Sequence, residues 1–342
     1  MAKRYEKERV KIEQPRGKKI YIDYDRQIEK LRADGLEIPN EKAAKARLKW
    51  EGYYNFAVGY NRLFKDENRR YIHGVRFEHI EALYDFDRLL RDVVYEATQV
   101  VECNLKALIS DKFSKYYGVD ERSYLKVENF SSDPADKHAV HWLISTIKET
   151  LKDGVKKANS GYRDYIEYYA KTYGHVPLWA LIRAISFGNT GKFLKLMKDS
   201  DAAEVALEYS ISPSVLYEVV DIAIGFRNIA AHGERVYCAK IAGCLDPELS
   251  VYEKLGLARK ENGELICGKC DFLAFLIAAK YLLSQVDFER FHSRVVAETE
   301  RLEKALPAFA FERVLNETGL KGNWKKLAQI PVDRSKDRRV GL

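Results

Sequence analysis

The sequence predicts an all-α protein, and two observations carry this prediction. Apolar residues recur at three- and four-residue steps over long stretches, most clearly in the segment at 77–118. Glycine and proline are scarce, at 20 and 8 in 342 residues, whereas sandwiches and barrels need a turn signal about every 8–12 residues. We therefore expect one main helical bundle with an N-terminal helical extension and a basic arm at each end.

The individual helices follow from this periodicity and from start and stop signals. Near the start of the chain, Ile28 and Leu31 share one side of a helix at 24–34, and Asn40 caps a long helix at 39–64. Residues 119–136 are rich in Ser, Asp and Asn, which predicts a loop. The other predicted helices lie at 77–118, 137–153, 163–174, 177–186, 190–199, 212–233, 270–286 and 287–306, and small β-ribbons are expected at 70–77 and 235–241.

The positive charge of the chain is concentrated at its two ends. Residues 1–20 hold eight Lys and Arg against three Glu, and residues 321–342 hold seven against two Asp, so each end carries +5. Because the whole chain is +7, the 300 residues between them carry −3. Basic arms are typical of proteins that contact a phosphate backbone, although charged termini also serve solubility. We predict a basic N-terminal arm at 1–20, a helical extension at 21–75, the main helical domain at 76–320 and a basic tail at 321–342.

Composition also excludes several classes of protein. With 46% hydrophobic and 32% charged residues, the chain is globular rather than disordered. Its longest apolar run, at 272–279, is much shorter than the roughly 18 residues that a membrane span needs. The first residues lack the apolar segment of a secretory signal, so we expect a cytoplasmic protein that has no membrane partner. Its five cysteines are then expected to be reduced.

Four of the cysteines raise the question of a metal site. Cys267 and Cys270 form a C-x2-C pair, and Cys238 and Cys244 upstream would complete four thiolates for zinc. The five-residue gap between the upstream pair is unusual for a zinc knuckle, and Cys270 stands at a helix start, where any small polar residue can act as a cap. We therefore predict no metal and no other cofactor, with zinc at these cysteines as the alternative.

The stretch FRNIAAHGERVY, at 226–237, contains the best candidates for catalytic residues. Cleaving RNA without a metal requires a base for the 2′-hydroxyl proton, an acid for the leaving 5′-oxygen and a cation near the phosphorus. Histidine can be base or acid near neutral pH, and arginine offers a charged planar fork to phosphate oxygens. Arg227 and His232 would point about 140° apart on a continuous helix, so they converge only if the helix ends or bends near Gly233. From these residues alone, an ordinary helix end remains an equal alternative.

The motif resembles the Arg-Asn-x-x-x-His core of the HEPN superfamily. Further blocks, in the same order along roughly residues 20–330, resemble Abi-like proteins of the AbiD/AbiF type, which act in bacterial abortive-infection phage resistance. These blocks are YYNFAVGYNRLF (53–64), FEHIEALYDFDRLLRDVV (77–94), VECNLKALIS (101–110), YYG (116–118), PLWALIRAISFG (177–188), RNIAAHGERVY (227–237), DFLAFLIAAKYLL (271–283) and TGLKGNWKKL (318–327).

The resemblance implies more than composition does. It implies a HEPN-type helical bundle with extra N-terminal helices and metal-independent endoribonuclease activity, at a site formed where two HEPN units meet in a homodimer. It also implies kinship with RNA-guided type VI CRISPR effectors and, for some members, association with a structured non-coding RNA. By this resemblance Arg227 and His232 are catalytic and Asn228 is their polar neighbour. Gly233 departs from the polar residue that often follows the motif histidine.

Further residues are candidates for binding or support. Glu102, between apolar neighbours in the helix at 77–118, is predicted either to orient His232 or Arg227 or simply to pair with a basic residue. RNA contact by phosphate binding and stacking is predicted for a basic and aromatic cluster, with a solvated loop as the equal alternative, and for basic residues of the tail. These residues are Arg62, Lys65, Arg69, Arg70 and Tyr71 in the cluster, and Lys325, Lys326, Arg338 and Arg339 in the tail.

Two functions from different classes fit the sequence. The first is a dimeric ribonuclease of phage defence whose substrate is RNA and which a cognate non-coding RNA restrains or guides. The second is a binding protein of the same fold that holds a structured RNA as a stable ribonucleoprotein, with weak or conditional cleavage. The Arg–His pair favours the enzyme, since a scaffold does not need it.

Overall fold

The structure is a computed structural model that describes residues 21–156, 164–332 and residue 337. This part of the chain is all-α, as the sequence predicts, with isolated bridges but no strand. It forms two compact units, one up to Tyr84 and one from Asp85 onward. None of the helices so described combines the length and apolarity that crossing a bilayer requires. The predicted arm at 1–20, with Arg338 and Arg339, lies outside the described residues.

From residue 21 onward, where the structure describes it, the first unit is built from two short helices and the start of a long one. Asp23 and Asn40 cap the first two by accepting backbone N–H groups with their side chains. Phe56 lies in the core, with its ring centroid 5.3 Å from that of Phe77 and 5.2 Å from that of Tyr84. The elements are α1 (Tyr24–Ala33), α2 (Glu41–Glu51), a π-helical turn (Tyr54–Val58), a 3-10 turn (Arg62–Phe64) and the first turns of α3 (Phe77–Tyr117).

The long helix predicted at 39–64 is wrong. The chain leaves the helix at Gly52, which adopts φ +79° and ψ 137°. Residues with a side chain rarely adopt a positive φ, whereas glycine does so readily, and this ends α2. Apolar residues continue beyond Gly52 and pack as the two short turns, which explains why the periodicity extends past the end of the helix.

The second unit surrounds one fully buried helix. It comprises the rest of α3, α4 (Glu121–Tyr124), α5 (Lys137–Lys156), α6 (Asp164–Tyr173), α7 (Leu178–Leu181), α8 (Phe187–Leu196), α9 (Asp199–Glu208), α10 (Pro213–Ala231), α11 (Val251–Leu255), α12 (Phe272–Leu282), α13 (Gln285–Ala305) and α14 (Ala308–Thr318). Every residue of α12 is buried. Helix α10 packs on it through Phe226, whose ring centroid is 5.3 Å from that of Phe275. This contact fixes the helix that carries the Arg–His motif. The described part of the unit also has 3-10 turns at Val127–Asn129, Ile182–Ala184 and Trp324–Lys326.

Several boundaries differ from the prediction because capping residues were misassigned. Helix α8 begins at Phe187 rather than 190, since Ser186 Oγ accepts the N–H of Asn189. Helix α12 begins one residue after Asp271, whose carboxylate accepts the N–H of Ala274, so Cys270 is not the cap. Helices α4, α9, α11 and α14 were not predicted, and α4 lies in the segment at 119–136 that was predicted to be a loop.

The predicted ribbons at 70–77 and 235–241 are also wrong. The first segment forms only isolated bridges, from Tyr71 to Lys65 and from Arg76 to Glu37. The second is a turn in which the N–H of Tyr237 donates to the carboxylate of Asp87 at 2.7 Å. A side chain, rather than a neighbouring strand, satisfies this backbone group.

Candidate functional site

Helix α10 ends at the motif, and its end has a defined geometry. His232 is the C-cap, and Gly233 follows with φ +70°. The N–H of Gly233 donates to the carbonyl of Ala230 at 3.2 Å, and the N–H of Glu234 donates to that of Ile229 at 3.0 Å. This pair of bonds is a Schellman motif, which glycine favours because it requires a left-handed residue. The predicted end of the helix at Gly233 is therefore confirmed.

This helix end leaves His232 on the surface. The residue is exposed, and its ring has no hydrogen bond, ion pair or ring contact within the part of the chain that the structure describes. The chain that follows His232 is held firmly, because Val236 and Tyr237 are buried and the N–H of Tyr237 donates a hydrogen bond to Asp87. The backbone on both sides of the imidazole is thus fixed while its ring nitrogens remain accessible to a substrate.

Arg227 lies one and a half turns earlier and faces α3. Its Nη2 is 3.7 Å from Glu102 Oε2, and its Nη1 donates to Asn228 Oδ1 at 3.1 Å. The other oxygen of Glu102 accepts from Lys106 Nζ at 2.6 Å, and Lys106 also donates to the carbonyl of Ile185 at 2.6 Å. Glu102 therefore shares its charge between two cations, and the looser of the two contacts is the one to Arg227.

A cavity of about 950 Å³ opens beside Arg227. Its volume is near the upper end of the range of about 300–1,000 Å³ that is typical of ligand pockets. The charged residues of its lining are four cations and two anions, which leaves an excess of positive charge. The cations are Lys106, Lys115, Arg183 and Arg227, and the anions are Glu102 and Asp111.

Within one chain, Arg227 and His232 do not line the same cavity. Arg227 lines this cavity and His232 does not. A second cavity, of about 490 Å³, is lined by Ala230 and Ala231, the two residues before His232, and shares Tyr95 with the first. The two cavities therefore adjoin along α3, with Arg227 in the lining of one and the two residues before His232 in the lining of the other.

Comparison with known proteins decides the family. The Abi-like protein family matches residues 46–238, more than half of the chain. The match includes Glu102, Arg227 and His232 and ends one residue after Tyr237. The chain belongs to the Abi-like protein family. No curated protein and no solved structure gives a significant match.

In this Abi-like protein, of the abortive-infection type, the predicted basic and aromatic cluster is only partly exposed. Tyr71 is 5% exposed, so neither face of its ring is open to a base. Lys65 Nζ is 3.0 Å from Asp34 Oδ2 and 4.5 Å from the centroid of the Tyr71 ring. Arg69 and Arg70 are exposed, as is Arg62, and RNA contact by these three stays a prediction.

The described part of the predicted tail is folded. Trp324 and Leu327 are buried, whereas Lys325 and Lys326 between them are exposed. Lys325 Nζ lies 3.1 Å from Glu300 Oε1. Because this ion pair is exposed, it contributes little to stability, and Lys325 can leave Glu300 for a phosphate at a small cost in free energy. RNA contact by the two lysines stays a prediction.

Within the described residues, none of the four cysteines considered for zinc forms a disulfide. Among the described residues, no group of three or more His, Cys, Asp or Glu side chains is arranged to hold a metal ion. The thiols of Cys244 and Cys270 share a hydrogen bond, and burial is the main reason that the pKa of Cys270 is raised. This arrangement is a pair of thiols rather than a four-ligand site.

Sequence reasoning missed several residues that build this site in the Abi-like chain. Asp87, which holds the turn after His232, is 150 positions from Tyr237 and gives no local signal. Lys106 was a detectable partner, because it follows Glu102 by four positions on one helix. Trp179 and Arg183 are four positions apart in the block PLWALIRAISFG, and both line the larger cavity.

Proposed function

We propose that this protein is a metal-independent endoribonuclease of the HEPN superfamily that acts in antiphage abortive infection. The observation that carries the proposal is the end of α10, where Arg227 faces a cavity rich in cations and His232 is exposed on a fixed backbone. The family match, which includes both residues, supports it.

The two side chains have the functions that RNA cleavage requires. Neutral His232 takes the proton of the 2′-hydroxyl, and the resulting oxygen attacks the adjacent phosphorus. The bond from phosphorus to the 5′-oxygen breaks, and a protonated imidazole gives that oxygen its proton. Arg227 donates hydrogen bonds to the non-bridging oxygens as negative charge builds up on them. The products are a 2′,3′-cyclic phosphate and a 5′-hydroxyl.

One chain holds only one such histidine, and Arg227 lines a cavity that this histidine does not line. A second copy of the chain would bring a second imidazole to the same phosphate, so that one ring acts as base and the other as acid. We therefore propose that the working site forms between two subunits of a homodimer. The specific rate of cleavage should then rise with protein concentration until the dimer saturates.

The experiment compares three variants with the wild-type protein on a single-stranded RNA in the presence of EDTA. Arg227→Ala and His232→Ala should each abolish cleavage and cellular toxicity without lowering the melting temperature. His138→Ala, at an exposed histidine of α5, is the matched control and should cleave normally. Wild-type cleavage that stops with EDTA, or that continues in a folded Arg227→Ala, His232→Ala double variant, contradicts the proposal.

The presence of Arg227 at the cation-rich cavity without His232 also favours a second candidate. If the protein holds a structured non-coding RNA across the cation-rich cavity, cleavage is conditional on whatever assembles the two residues. This candidate predicts that purified protein carries RNA, seen as a high 260/280 nm absorbance ratio that survives moderate salt. Sequencing RNA bound to the tagged protein, with and without phage, distinguishes a single bound species from a mixture of cleavage products.

A further inference from the structure

The larger cavity contains a feature that the Arg–His site does not use. Trp179 lines it and is 46% exposed. Its neighbours Leu178, Ala180 and Leu181 are buried, so α7 is anchored while the indole faces outward. An anchored aromatic ring loses little conformational freedom on binding, which makes it an effective platform for a flat ligand.

Arg183 lines the same cavity and is well placed to bind an anion. Arg183 follows Trp179 by four positions and lies in the 3-10 turn that Lys106 holds, through a hydrogen bond to the carbonyl of Ile185. The guanidinium carbon of Arg183 is 5.3 Å from the centroid of the Tyr165 ring. No carboxylate pairs with Arg183 within the described ranges. Its charge is therefore held in position but not neutralised, which suits an anion.

We propose that this cavity binds one nucleotide of single-stranded RNA, beside the phosphate at Arg227, with the base stacked on Trp179 and a phosphate on Arg183. An aromatic ring with a guanidinium is the combination that recognises an unpaired nucleotide. The inference rests on the proposed function, because it places this nucleotide next to the one that is cleaved. Duplex RNA does not fit, since its bases are stacked on each other and have no free face.

The experiment measures binding in a protein that does not cleave. His232→Ala is titrated against a fluorescein-labelled adenosine dodecamer of RNA, and fluorescence anisotropy gives the Kd. Adding Trp179→Ala should weaken binding by about five- to a hundredfold, the usual effect of losing one stacked base. Trp179→Phe should retain most of the affinity, because a phenyl ring also offers a face for stacking.

The matched control is Trp142→Ala. Trp142 is 47% exposed, almost the same as Trp179, but it belongs to α5 and does not line the cavity. Its removal should leave the Kd unchanged. The dodecamer paired with its complement should bind much more weakly than the single strand.

The inference is overturned if Trp179→Ala and Trp142→Ala have the same Kd, if the duplex binds as tightly as the single strand, or if the RNA does not bind at all. Melting temperatures of each variant establish that the fold is retained. Failure of the proposed function looks different: wild-type protein does not cleave, yet Trp179→Ala still weakens binding. Cleavage that proceeds while Trp179→Ala binds normally refutes only the nucleotide site.

Discussion

Gly233 allows the cost of a substitution to be worked out from the structure. Its φ of +70° lies in the left-handed region, where a residue with a Cβ is disfavoured by about 1–2 kcal/mol. No heavy atom lies within 4 Å of where a Cβ would be, so strain in the backbone is the whole cost. Gly233→Ala should lower the free energy of unfolding by about 1–2 kcal/mol. Gly233→Asn should lower it less, since asparagine tolerates this region.

Gly174, at the end of α6, provides a matched control. It has φ +73° and no neighbour within 4 Å of its absent Cβ, so Gly174→Ala should cost the same free energy. In a domain of this size, about 1 kcal/mol shifts the melting temperature by about 2–4 °C. Calorimetry should therefore show similar shifts for the two alanine variants. Only Gly233→Ala should also slow RNA cleavage, because unwinding the helix end displaces His232.

Two results would refute this reasoning. If Gly233→Asn is as destabilising as Gly233→Ala, the cost is not one of backbone conformation. If Gly233→Ala cleaves RNA as fast as Gly174→Ala, the Schellman turn does not position the imidazole.

Three further changes test the surroundings of the site. Glu102→Gln removes the anion that holds Arg227, so kcat for RNA cleavage should fall about tenfold or more while the Kd for RNA stays the same or tightens; a weaker Kd at unchanged kcat contradicts this. Asp87→Ala removes the fully buried carboxylate that accepts from the N–H of Tyr237 and from Arg91, and urea denaturation should show a loss of about 3 kcal/mol in the free energy of unfolding. Burial lowers the pKa of His292, so the unfolded state binds the proton more readily and stability falls as pH drops from about 6.5 towards that lowered pKa. His292→Gln should flatten this part of the pH profile of the urea midpoint.

Local signals predicted much of the fold and part of the site. The apolar period of α3 and the capping residues of α10 each depend on a few consecutive residues, and both helices lie where they were predicted. Gly233 was identified as the end of α10 for the same reason. The long helix at 39–64 failed because a single glycine, Gly52, reverses the sign of φ without interrupting the apolar pattern.

Long-range contacts could not be predicted in the same way. The bond from Tyr237 to Asp87 and the ion pair from Arg227 to Glu102 join α3 to residues more than a hundred positions away. Each of these contacts depends on how the helices pack, and the periodicity of a single sequence gives no sign of it. The sequence offered His232, Arg227 or an ordinary basic residue as the partner of Glu102, and the structure pairs it closely with Lys106 and more loosely with Arg227.

The rigidity of α3 has a consequence for how this chain tolerates insertion and deletion. Asp87 and Glu102 are 15 residues apart on one unbroken helix, a spacing of about 22 Å along its axis and about 60° around it. The helix therefore sets the distance between Asp87, which holds the turn after His232, and Glu102, which contacts Arg227. One residue gained or lost between Asp87 and Glu102 would rotate one carboxylate around the helix axis by about 100° relative to the other. Length changes should therefore be harmful within this span.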